Sequence, residues 1–79
     1  MITADFAILP VGTEDTECKE YVTAAVQAIK YSGLNYQLTG MGTQIEAENL
    51  KELYEAIANA QEAVFKTGIG RVYTVIKVD

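Results

Sequence analysis

Apolar and polar side chains alternate from Ile2 to Leu9, with Ile2, Ala4, Phe6 and Ile8 on one face and Thr3, Asp5, Ala7 and Leu9 on the other. A period of two is that of a strand with one buried face, and Pro10 stops it. The stretch from Pro10 to Thr16 then reads as a turn. Thr16 is placed to cap a helix whose first turn carries the acidic Glu17. Cys18, Tyr21, Val22, Ala25 and Ile29 follow at helical spacing, and the helix is expected to end at Ser32, since Gly33 tolerates the left-handed conformation that closes a helix C-terminus. Leu34–Thr39 and Met41–Ala47 alternate again, as two short strands joined by a tight hairpin at Gly40-Met41-Gly42. In Asn49-Leu50-Lys51-Glu52, asparagine is set to accept from the third helical N–H while Glu52 reaches back, a capping box. The helix it opens carries the stripe Leu50, Leu53, Tyr54, Ile57, Gln61, Val64 and Phe65, with Gly68 at its end. Arg71 to Val78 is a last strand, Val72, Thr74, Ile76 and Val78 against Arg71, Tyr73, Val75 and Lys77.

The order strand, helix, strand, strand, helix, strand is the ferredoxin-like arrangement, an α+β fold in which two helices cover one face of a four-stranded antiparallel sheet. Right-handed crossovers put the first and third strands at the centre and the second and fourth at the edges. The other face of the sheet has no helices over it. Alternation places on that bare face either Thr3, Asp5, Ala7 and Leu9 with Arg71, Tyr73, Val75 and Lys77, or the opposite set, and the first is favoured because the second is uniformly apolar. A half-apolar surface of this kind suits a ligand or another subunit.

The chain has 79 residues, read as a single domain over 1–79. A domain of that size buries only about 60% of the surface its unfolded chain exposes, so its core is small and self-association is a natural way to add burial. With a formal net charge of −5 and 6 basic residues, the chain lacks the Lys and Arg clusters that phosphate backbones require, and nucleic acid is not an expected partner. No apolar run reaches the roughly 18 residues needed to span a bilayer, and the first residues lack the features of a signal peptide, so no membrane partner and a cytoplasmic location are expected. Histidine is absent and Cys18 is the lone cysteine, which leaves no zinc site, no Cys-His nucleophile and no internal disulfide. On its helix stripe Cys18 reads as a small buried hydrophobe.

A few residues stand out against this pattern. Gln61 places an amide on a stripe meant for the core, where it needs hydrogen-bond partners from a neighbouring loop or a ligand. Two Gly-Thr steps flank the central strands, Gly12-Thr13 after the first and Gly42-Thr43 at the start of the third. Glycine admits close backbone approach and threonine offers a hydroxyl, although both are also common turn formers. On strands read as parallel, the two steps fall at opposite ends of the sheet and are not joined within one subunit. Neither has the spacing of a phosphate loop. Glu46 is the one charge in its strand, opposite in face to Thr43 and Ile45; it is either a solvated carboxylate or, on the bare face, an acceptor for an amine or ring N–H. Asp5 on the adjacent strand makes an acid/base pair with Glu46 conceivable as a third reading.

Several segments, Pro10-Val11-Gly12-Thr13, Met41-Gly42-Thr43-Gln44-Ile45-Glu46, Gln61-Glu62-Ala63-Val64-Phe65 and Arg71-Val72-Tyr73-Thr74 among them, occur in an order that resembles the thiamine-binding protein family, long known as a domain of unknown function of the UPF0045 type. The resemblance covers nearly the whole chain. It implies a ferredoxin-like fold, association of the chain with itself as a dimer or dimer of dimers, and non-enzymatic binding of thiamine or its hydroxymethylpyrimidine precursor. Contacts would fall on the Gly-Thr steps and Glu46, giving the candidate set Gly12, Thr13, Tyr36, Thr39, Met41, Gly42, Thr43, Glu46 and Gln61, with Tyr36 or Tyr73 available for stacking and no catalytic residue, metal or cofactor. Two positions depart from the family pattern: Gln61 where members typically carry histidine, and Ala47 where glycine follows Ile-Glu. Members also commonly continue into a basic helical tail beyond the last strand. The alternative is a structural or regulatory self-assembly module without a small-molecule ligand.

Overall fold

The computed structural model describes residues 1–11, 18–39 and 42–79. Its elements follow the order β1 (Ile2–Pro10), α1 (Cys18–Ser32), β2 (Asn35–Thr39), β3 (Gly42–Ala47), α2 (Leu50–Phe65) and β4 (Val72–Val78). The four strands form one antiparallel sheet in the order β2-β3-β1-β4, with β1 and β3 central. Thr16 and Glu17, read as the cap and acidic first turn of α1, lie outside the described residues. So do Gly12, Thr13, Gly40 and Met41.

Residues on one face of β1 and β3 make the core. Ala4, Phe6, Ile8, Ile45 and Ala47 are buried against Leu53, Ala56, Ile57, Ala60 and Val64 of α2 and Ile29 of α1. Thr3, Asp5, Ala7 and Leu9 face the other way, toward the side without helices, as the alternation predicts. Asn49 caps α2, its Oδ1 accepting from the Glu52 N–H at 2.9 Å. Gly33 ends α1 at φ +78°, a conformation that disfavours any side chain, and the Gly68 N–H donates to the Phe65 carbonyl at the end of α2.

Three expectations are corrected. The buried face of α2 is Leu53, Ala56, Ile57, Ala60 and Val64, whereas Leu50, Tyr54 and Phe65 are exposed. Alanines fill the seam because the two helices lie side by side, and small side chains let them approach; a reading weighted to large apolar residues misses them. On the helix side of β4, Ile76 and Val78 are 38% and 39% exposed rather than buried, since β4 is the outer strand of the sheet and α2 packs on β1 and β3. Finally, β1 and β3 run antiparallel, not parallel, with Ile2 opposite Ala47 and Phe6 opposite Thr43. The crossover through α1 returns β2 parallel to β1, and the hairpin then reverses β3.

Candidate functional site

Antiparallel pairing changes where the candidate residues meet. The C-terminal half of β1 runs beside the N-terminus of β3, so the chain leaves Pro10 and Val11 at the same end of the sheet at which Gly42 and Thr43 begin β3. At that end a groove of about 290 Å³ lies between α1 and the sheet. Phe6, Ile8, Val22, Val26, Leu38 and Thr43 line it, with Thr39 and Gly42 at the hairpin. Thr43 stands opposite both Phe6 and Leu38 and therefore points to the helix side of the sheet.

Gly42 is where the chain most needs glycine. A Cβ on it would sit 2.6 Å from the Phe6 carbonyl oxygen and 3.4 Å from the Ala7 Cβ, and its φ is +155°. The absence of a side chain thus allows β3 to enter the sheet against β1. Thr39 serves the same turn: its Oγ1 accepts from the Gly42 N–H at 3.1 Å and donates to the Gly42 carbonyl at 3.0 Å. Of the residues in this corner, Thr43 is half-buried in the groove, a hydroxyl among apolar walls.

Glu46 is elsewhere. It pairs with Thr3 and Asn35 on the bare face, three residues along β3 from Thr43, or about 10 Å. There it borders a shallow hollow of about 120 Å³ with Thr3, Asn35, Gln37 and Gln44, a surface rich in amides. Tyr36 also borders this hollow, but opposite Ile45, so its side chain belongs to the helix side. Tyr73 faces the bare side opposite Leu9. Gln61 is half-buried on α2 and lines neither hollow. The structure thus joins Thr39, Gly42 and Thr43, and separates them from Glu46 and from Gln61. Asp5 and Glu46 share the bare face, but Asp5 stands between Gln44 and Lys77 and Glu46 stands between Thr3 and Asn35.

Val26 and Leu38 are groove residues that the sequence reading did not single out, and Val22, read on the apolar stripe of α1, is 45% exposed and lines the groove as well. Their signal is Val22 and Val26 at helical i, i+4 spacing on a helix whose only fully buried side chain among the described residues is Ile29. Among those residues no helix is long and apolar enough to cross a membrane.

The family model described as thiamine-binding protein matches residues 4–79. The chain belongs to this family. Over 79 residues it is 49% identical to a UPF0045 protein of Methanothermobacter thermautotrophicus, covering all of this chain and 80% of that one. A UPF0045 protein of Bacillus subtilis is 42% identical over 84 residues, with 79% of its length covered. Among solved structures, a domain of unknown function, DUF77, from Bacillus cereus superposes with a TM-score of 0.85 at 29% identity, covering 99% of this chain and 73% of that one. A putative thiamine biosynthesis/salvage protein from Thermotoga maritima shares the fold, with a TM-score of 0.83 at 19% identity over 99% of this chain and 81% of that one. The chain's four-stranded antiparallel sheet with two helices is the fold that these solved structures share.

Proposed function

We propose that the chain, as a homo-oligomer, binds thiamine or a thiamine-precursor pyrimidine without transforming it, and that the ring enters the groove between α1 and the β2-β3 hairpin. The observation that carries the reading is the convergence of the β1 exit and the Gly42-Thr43 step at the rim of that groove, in a chain of the thiamine-binding family. The volume stands at the low end of the roughly 300–1,000 Å³ of small-molecule pockets, suited to one or two small rings. Apolar walls from Phe6, Val22 and Leu38 would hold the flat faces, and the Thr43 hydroxyl would fix orientation as donor or acceptor. Gly12 and Thr13 follow Val11 in the sequence, outside the described residues, and belong to the proposed set.

Isothermal titration with thiamine and with hydroxymethylpyrimidine tests this reading. Saturable binding is expected, weakened by Thr43→Val and abolished by Val22→Trp, which fills the groove from an exposed position. Glu46→Gln decides between the two hollows. If that variant loses binding while Val22→Trp keeps it, the ligand lies on the bare face; if neither compound binds at millimolar concentration, the small-molecule function is lost altogether.

The second reading is a self-assembly module. It is favoured by the exposed apolar run on the bare face and its edge, where Leu9, Tyr73 and Val75 lie uncovered. In that case Tyr73→Asp breaks the assembly and no small molecule raises the melting temperature.

A further inference from the structure

Among the described residues, no charged side chain lines the groove beside α1: its walls are apolar except for the hydroxyls of Tyr21, Thr39 and Thr43. The Gly42 N–H at the rim already donates to Thr39 Oγ1. Arg71 meets the β1 exit from the β4 side, where its carbonyl accepts from Val11, and does not line the groove. A helix N-terminus is the feature that most often draws phosphate, since its free N–H groups and dipole favour an anion. α1 begins at Cys18, shortly before Tyr21 and Val22 enter the groove wall, but its first turn carries the carboxylate of Glu20. The sequence joining Val11 to Cys18, outside the described residues, contains Glu14, Asp15 and Glu17 and neither lysine nor arginine.

We propose that the groove selects the unphosphorylated ligand and excludes its phosphate esters. Resting on the small-molecule reading above, this selectivity specifies the chemical form that the site accepts. A phosphate monoester carries about −1.5 to −2 charges at neutral pH. Entry into an apolar groove strips water from that anion and offers neither a cation nor a full set of donors in exchange, so the transfer is unfavourable. The free forms bring a flat ring and a primary hydroxyl, which the apolar walls and the Thr43 hydroxyl match. A net charge of −5 acts in the same direction at longer range. A kinase that moves a phosphoryl group from a nucleoside triphosphate to that hydroxyl, leaving the nucleoside diphosphate and a proton, would turn a held compound into a released one. The chain thereby stands before a phosphorylation step and not after it.

Isothermal titration of the unmodified chain with thiamine, hydroxymethylpyrimidine and the monophosphate of each reads the selectivity directly. The esters are expected to bind at least about 30-fold more weakly than the free forms. That gap should persist in about 0.5 M salt, which screens long-range repulsion and leaves the desolvation in the groove untouched. Leu38 lines the groove from the edge strand β2 and is 51% exposed, a position that tolerates lysine. Leu38→Lys should therefore tighten the esters by about tenfold or more. Asn59→Lys makes the same change of charge on an exposed position of α2 outside the groove and should not tighten them. Esters that bind within about threefold of the free forms overturn the selectivity and leave the ligand reading standing. A gap that closes in high salt, or one that Leu38→Lys fails to narrow, does the same. So does tight ester binding that disappears in Lys19→Gln, which would trace an anion site to that base. If neither the free forms nor the esters bind at millimolar concentration, the small-molecule reading itself has failed.

Discussion

A Cβ placed on Gly42 would meet the carbonyl oxygen of Phe6 at 2.6 Å, and Phe6 is itself 3% exposed in the centre of the core. The obstacle is backbone on a central strand and has no flexible end to move aside. Entry of β3 into the sheet therefore depends on the missing side chain.

Gly42→Ala is expected to lower the unfolding free energy by about 1–3 kcal/mol through this clash and the positive φ. Gly33→Ala is the matched control, because a Cβ there meets nothing within 4 Å and only the φ of +78° opposes it; a loss of about 1 kcal/mol is expected. Urea denaturation of both variants checks the difference. Equal losses would mean that the approach to Phe6 is not a tight one.

Thr74 carries a buried side-chain oxygen with no hydrogen-bond partner, on the helix side of β4 opposite Ile8. Replacing it with the isosteric valine removes an unsatisfied polar group and adds β-propensity. Thr74→Val should leave stability unchanged or raise it by up to about 1–2 kcal/mol, seen as a higher midpoint in thermal melting. A drop of that size would reveal a bond to the hydroxyl.

The helix seam makes a third test. Ala60 is fully buried and Tyr54, one of the large side chains of α2, is 48% exposed. Ala60→Leu should cost about 1–3 kcal/mol by overpacking, whereas Tyr54→Gln should fall within roughly 0.5 kcal/mol of the native chain. The opposite ranking in chemical denaturation would place the stripe of large residues, not the alanines, at the contact.

Element order, strand periodicity, the Asn49 cap and the Gly33 terminus were all legible in the chain, because each depends on neighbours within a few residues. The same local alternation correctly assigned Thr3, Asp5, Ala7 and Leu9 to the face without helices. The candidate site was legible only in part. Alternation already put Glu46 and Thr43 on opposite faces, yet it does not say that Thr43 looks into a groove walled by α1. Nor does spacing reveal that the Thr39 hydroxyl is engaged by Gly42.

From sequence alone came the fold class, the family resemblance and the list of polar residues able to touch a ligand, since these depend on residue type and short-range period. Tertiary structure decided which of those residues meet. Strand direction is set by the crossover through α1 and the reversal at the hairpin, and that long-range geometry brings the end of β1 beside the start of β3. Among the described residues it also leaves one flank of β4 unpaired, because edges exist only once strands are assembled into a sheet.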